Sequence, residues 1–214
     1  MVGHTKYKIM LKINEKYMPK WRRRMLHDKR FTIISNNCWG GYIYRLFGLP
    51  YQSPTIGLFI MPEDYIKLVK NLEYYLLKNE ISFISPEESK HKNELCNHEG
   101  FGSYPIGRLD DIEIFFVHYK DEKEAKEKWD RRLKRVNWDN LIIKFNDQNG
   151  CTEKQIMEFN KITKHKKMIC FVAKKLPGEH NIYMREFKKD GYVVDDKYWL
   201  PQHINIIRYL NKKQ

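Results

Sequence analysis

Short apolar runs of strand length recur along this chain, and segments of helical period lie between them. Phe31–Ile34, Thr55–Ile60, Ile81–Ile84, Ile112–Val117, Leu141–Phe145 and Met168–Val172 read as six strands. Glu63–Lys78 carries Tyr65, Leu68, Val69, Leu72, Tyr75 and Leu76 at three- and four-residue spacing, the stripe of an amphipathic helix. Asp121–Arg135 repeats the pattern with Ala125, Trp129 and Leu133. Thr152 and Gln155 have capping-box spacing and open a helix through Ile162, and Gln202–Leu210 closes the chain with another. Strands alternating with helices predict an α/β domain, a three-layer α/β/α sandwich with a mainly parallel, Rossmann-like sheet. The later strands are near-continuous apolar runs, as expected of strands covered on both faces. Ser85–Asp111 has no clear period and reads as a functional loop or lid.

Composition narrows the class. With 42% hydrophobic and 14% aromatic residues among 214, the chain buries enough apolar surface to exclude disorder. No run approaches the roughly 20 apolar residues of a membrane span. The net charge of +13 is uneven. Residues 1–30 hold ten Lys/Arg and two acids, a net +8; the remainder holds 30 and 25, a net +5. We therefore divide the chain into a basic, helical N-terminal arm (1–30) and a single α/β domain (31–214). The arm lacks the apolar stretch and cleavage site of a secretory signal. Its Trp21–Leu26 segment either lies on an anionic membrane surface or packs Trp21, Met25 and Leu26 on the domain. Nucleic acid is disfavoured as a partner, because no recognition motif accompanies the charge. Cys38, Cys96, Cys151 and Cys170 form no C-x-x-C pair, which suits a reducing, cytoplasmic setting, peripheral to the inner face of the membrane if the arm docks.

In a parallel α/β sheet, ligands bind beyond the carboxyl ends of the strands. Ser35–Gly41 follows the first strand, Met61–Asp64 the second, His118–Tyr119 the fourth, and Asn146–Gly150 the fifth. The Asn36–Gly41 turn stands out, because two Gly allow close backbone approach and a helix start suits an anion or oxyanion. The same location lowers a thiol pKa. Cys38 as nucleophile, His118 as base and Asp147 as orienter form one candidate triad. Asn36, Asn37, Trp39, Gly40, Gly41, Asp64 and Tyr119 are candidate ligand-binding residues. The alternative is structural: Asn36 and Asn37 cap a turn, Cys38 packs, and the glycines allow tight helix–strand packing. His91, Cys96 and His98 lie close together but lack a fourth ligand, so no metal site is expected. No nucleotide-loop or hydrolase motif is present, and the cofactor is left unknown.

The ordered set Ser35-Asn-Asn-Cys-Trp-Gly-Gly41, Ser53-Pro-Thr-Ile-Gly-Leu-Phe59 with Asp64-Tyr65, Tyr104-Pro-Ile-Gly107, and Phe116-Val-His-Tyr119 with Ala125 and Lys128-Trp129 resembles a bacterial family. It is the domain-of-unknown-function family nineteen-nineteen, whose members are often labelled exopolysaccharide or capsular polysaccharide biosynthesis proteins. The resemblance runs from about residue 20 to the C-terminus. It implies an α/β/α fold and a place in surface-glycan assembly, and it carries over no catalytic residue. A fainter likeness, confined to the first strand and its loop, is to capsule-pathway acyltransferase-like proteins with an Asn-Cys pair matching Asn37-Cys38. Together these imply a transferase of acyl or glycosyl groups, acting on a sugar with a nucleotide-sugar or acyl donor. The alternative is a non-catalytic accessory held on an anionic membrane by its arm.

Overall fold

The computed structural model describes residues 17–98, 100–197 and 199–212. The chain is mixed α/β, built on a four-stranded parallel sheet and a separate three-stranded antiparallel sheet. The parallel sheet runs β1 (Thr32–Ser35), β5 (Leu141–Asn146), β6 (Met168–Val172), β7 (Asn181–Tyr183). Alternate residues of its strands divide between two buried clusters. Ile33, Ile142, Ile169 and Phe171 face α2 (Trp39–Leu46) through Trp39, Tyr42 and Ile43. Ile34, Ile143, Phe145 and Cys170 share the other cluster with Tyr65, Leu68, Trp129 and Phe159. These come from α3 (Pro62–Lys70), α6 (Glu122–Leu133) and α7 (Glu153–Asn160). β1, β5 and β6 are buried on both faces, which is why these strands read as apolar runs.

The antiparallel sheet is β2 (Ser82–Ile84), β3 (Ile106–Leu109) and β4 (Ile112–Phe115). It departs from the expected single parallel sheet. β3 and β4 are joined by a two-residue turn with Asp110 at φ 56°, a tight reversal that fixes antiparallel pairing. β4 looked parallel because it, too, is buried along its whole length. Thr55–Ile60 is not a strand: its backbone makes one isolated bridge, Phe59 to Phe115, and it hydrogen-bonds to β1 through the Thr55 hydroxyl, which accepts from the Ser35 N–H and donates to Ile33 O. The expected Glu63–Lys78 helix is two, α3 and α4 (Leu72–Lys78), broken where Asn71 leaves helical geometry at φ −131°, ψ 47°. The Ser85–Asp111 stretch contains a 3₁₀ turn (Pro86–Glu88), the short α5 (Lys92–Leu95) and β3. The terminal helix is likewise two pieces, α8 (Leu200–His203) and α9 (Ile206–Leu210), the second capped by Asn205.

Three of the helix starts follow sequence rules. Pro62 opens α3 ahead of Glu63 and Asp64 in its first turn. Asp121 caps α6 by accepting from the Glu124 N–H at 2.8 Å. Thr152 and Gln155 form the expected capping box, although α7 ends at Asn160, two residues early. Of the basic arm, residues 1–16 lie outside the described residues. Its described part holds α1 (Pro19–Arg24), where Leu26 is buried while Trp21 and Met25 are 53% and 41% exposed. Of the three residues in the packing alternative, Leu26 alone is buried.

Candidate functional site

The C-terminal end of β1 meets that of β5, and there the chain buries a charge. Lys144, inside the run L-I-I-K-F, and Asp196, from the segment after β7, are an ion pair at 0% and 1% side-chain exposure. Lys144 also donates to Asn37 Oδ1 at 2.8 Å. Asp196 Oδ2 accepts from Asn37 Nδ2 at 2.8 Å and from Asn146 Nδ2 at 3.0 Å. Asn36 Nδ2 donates to Asn146 Oδ1 at 2.8 Å. Every member of the network has partners, which a buried polar cluster requires. Burial pulls the Lys144 pKa down, and Asp196 opposes it.

Asn37 ties this network to the turn. Its Oδ1 accepts from the Trp39 N–H at 3.1 Å, one of the donors a helix start leaves without a backbone partner. Its Nδ2 also reaches Gln148 Oε1 at 3.0 Å. The glycines serve packing: a Cβ at Gly40 would sit 3.3 Å from Ile33 Cγ2, and one at Gly41 would sit 3.3 Å from Ile56 Cγ2. Trp39 is fully buried beside Phe171, and its indole N–H has no acceptor among the described residues. Asn37 and the two glycines thus make contacts within the turn, whereas the Asn36 side chain reaches across to Asn146 and Lys144.

Cys38 is the N-cap residue of α2 and is partly exposed. Its thiol makes a long contact of 3.8 Å to Leu58 O. Burial pushes the thiol pKa up, against Lys197, Lys144 and Arg45, which pull it down; Asp196 adds to the rise. Nearby Tyr119 is buried, donates to Ile56 O and accepts from Arg132. His118 is exposed on the segment after β4, and its N–H donates to Gly57 O at 3.1 Å. Because β4 belongs to the antiparallel sheet, His118 and Tyr119 do not leave a strand of the parallel edge. Asp147 lies beyond β5, where its two oxygens accept from the Ala173 and Val193 N–H groups at 2.7 Å. Burial pushes its pKa up, against those two bonds. No hydrogen bond joins Cys38, His118 and Asp147.

Asp64, fully buried in the first turn of α3, organises a second cluster. Its Oδ2 accepts from the Glu113 N–H at 2.9 Å and meets His91 Nε2 at 2.9 Å. His91 Nδ1 meets Glu94 Oε2 at 3.0 Å. Burial pulls the His91 pKa down, but the bonds to Asp64 and Glu94 outweigh it and hold it above the usual value. Glu63, Asp64 and His91 bring ligand atoms within 4.8 Å of one another, the spacing of a metal site. The Lys90 ammonium, however, lies 2.6 Å from Asp64 Oδ1 and 3.8 Å from Glu63 Oε1. It occupies the place a cation would take, and both ring nitrogens of His91 are engaged. The cluster is an ion-pair network. Cys96 is exposed and takes no part in it.

Beside this cluster a cleft opens between the start of α3, the segment around α5 and the turn after β5. One cavity, of about 260 Å³, is bounded by Glu63, His91, Glu94 and Gln155. Another, of about 520 Å³, is bounded by Asp147, Gln148, Cys151 and Tyr192. His98, Asn149 and Gly150 border both. Gln148 joins the cleft to the turn, since it accepts from Asn37 and donates to Val193 O at 2.7 Å. Lys144, Asp196 and the Asp64–His91 pair escaped the sequence reading. A lysine inside an apolar strand was the available signal for the first; the others join positions far apart in the chain.

The family described as Domain of unknown function (DUF1919) matches residues 9–211. The chain belongs to that family. An uncharacterized protein of Haemophilus influenzae is 34% identical over 174 residues, covering 81% of this chain and 77% of that protein. Membership agrees with the resemblance carried by the Ser35–Gly41 motif. Among the described residues, no helix is long and apolar enough to cross a membrane.

Proposed function

We propose that this family member is a transferase of bacterial surface-polysaccharide assembly. It moves an acyl or glycosyl group from an activated, anionic donor to a sugar, with the Asn36–Gly41 turn at its centre. The parallel sheet, buried on both faces, is then the middle of a Rossmann-like, three-layer unit. One observation carries the reading: Cys38 is the N-cap residue of α2, at the carboxyl end of β1, next to Asn37, which bonds the buried Lys144–Asp196 pair, with Lys197 and Arg45 also near; burial holds its thiol pKa above the ordinary value. A helix start with Lys197 and Arg45 near it suits a phosphate or diphosphate leaving group. Donor binding is tested by thermal shift of the full chain with nucleotide-sugars and CoA thioesters. A ligand at 100 times its Kd adds about 2.7 kcal/mol of stability. A rise with one class, reduced by Lys197→Glu, is the expected result; no rise with either class overturns the reading. Cys38→Ala then separates the chemistries. Transfer that survives it proceeds by direct displacement, and transfer that it abolishes requires the thiol.

A second reading, an accessory docked on an anionic membrane, is favoured by the exposure of Tyr17, Trp21 and Met25 beside Lys20 and Arg22–Arg24. Each basic residue near such a surface adds about 1 kcal/mol. Sedimentation with phosphatidylserine vesicles, lost in a Trp21→Ser, Arg23→Glu variant, supports docking. Equal sedimentation of the two proteins removes it.

A further inference from the structure

The two ends of the site have opposite chemistry. Near Cys38 stand the buried Lys144–Asp196 pair and two further cations, Lys197 and Arg45. In the cleft, despite a net charge of +13 on the chain, neither cavity has a lysine or arginine among the described residues that line it. We propose that this cleft is the acceptor subsite, and that it takes an uncharged, polyhydroxylated ligand: a sugar.

The groups with hydrogen-bonding capacity to spare are carboxylate, imidazole and amide. Glu94 uses one carboxylate oxygen on His91 and keeps the other. Gln155 spends its carbonyl on Thr152 and keeps its amide N–H groups. The Asn149 and His98 side chains carry no hydrogen bond among the described residues, and both border the two cavities. Carboxylates and amides offer paired acceptors and donors, which suit neighbouring hydroxyls; they offer little to a phosphate, which calls for guanidinium or ammonium. Tyr192, 47% exposed at the rim, adds an amphipathic ring against which the C–H face of a sugar can lie. The arrangement is held from behind. Glu94 is fixed by His91 and His91 by buried Asp64, while the turn bearing Asn149 follows Gln148, whose amide is bound on both sides. At about 260 and 520 Å³ the adjoining cavities fall within the range of small-ligand sites.

This inference rests on the donor–acceptor reading above, but its test requires no donor. The full chain, labelled with ¹⁵N, is titrated with methyl glucoside, methyl galactoside and methyl N-acetylglucosaminide, then separately with pyrophosphate and with ethanolamine. Sugar-dependent shifts at the amides of Asn149, Gly150 and Tyr192 are expected from at least one glycoside. Tyr192→Ala and Glu94→Gln should each weaken that binding about tenfold or more. Asn149→Gly, which keeps the left-handed backbone at φ 58°, should do the same without unfolding the turn. Pyrophosphate should leave these amides still. The inference falls if no glycoside moves them, if pyrophosphate moves them, or if only the amine does. Failure here with donor binding intact rejects the subsite alone. Glycoside binding without donor binding rejects the transferase reading and leaves a sugar-binding cleft.

Discussion

Replacing Asp196 by Asn removes the only carboxylate hydrogen-bonded to the Lys144 ammonium among the described residues, at a point where neither side chain reaches water. The Asn side chain keeps an oxygen for Asn37 and Asn146, so most of the loss is the uncompensated charge. Breaking a buried pair from one side costs about 3–5 kcal/mol. That is a large part of the roughly 5–15 kcal/mol that holds a domain together. For a chain of this size it corresponds to a fall in Tm on the order of 10 °C. Urea unfolding at constant slope measures it directly. The sign of the pH dependence is a second check. Burial holds the folded Lys144 pKa below its unfolded value of 10.5, so the unfolded chain binds more protons between the two values and stability rises with pH there. Without Asp196 the folded value drops further and the rising window should extend towards neutrality. The double replacement Lys144→Met, Asp196→Leu should recover part of the loss, because a matched apolar pair carries no desolvated charge. A loss in Asp196→Asn below about 1 kcal/mol, with no change in pH slope, would refute the burial of this pair.

Other expected outcomes concern packing and titration. Gly107→Ala places a methyl 2.7 Å from both Ile81 Cδ1 and Phe116 Cε2, and should cost about 1–3 kcal/mol in equilibrium unfolding. Gly40→Val forces α2 away from Ile33 and Ile56, which already lie 3.3 and 3.4 Å from a Cβ there; both a lower Tm and lower donor affinity are expected. The raised pKa of His91 stabilises the fold fully below its unfolded value of 6.5, and that contribution is lost as pH rises through the folded value. His91→Gln should flatten the stability curve above pH 6.5, measured by thermal unfolding across buffers.

What was legible in the sequence follows the period of its apolar residues. β1, β5 and β6 were placed to within a residue because both their faces are buried. β4 was equally visible, but a run of buried residues does not say in which direction its neighbour runs; the two-residue turn at Asp110–Asp111 decides that. Thr55–Ile60 misled because its residues are mostly buried, yet it pairs with β4 at the single residue Phe59 and forms no ladder. β7, Asn181–Tyr183, was missed because all three of its residues are only half-buried and the strand is short. The Asn36–Gly41 turn was found through its composition. Its partners Lys144 and Asp196 were not, since their pairing spans 52 residues and no local pattern encodes it.

The reach of Asp196 also bears on how the protein is made. Asn37 emerges from the ribosome 159 residues before the carboxylate to which it donates, and Lys144 emerges 52 residues before it. At a synthesis rate of about 5–20 residues per second, Lys144 precedes its counterion by about 3–10 s and the last strand of the sheet precedes it by about 1–3 s. During that interval Lys144 has no carboxylate partner, so it either stays hydrated, with the carboxyl edge of β5 open, or is buried as the neutral amine. Closing the edge around a charged Lys144 therefore waits for the segment after β7, one of the last parts of the chain to be made.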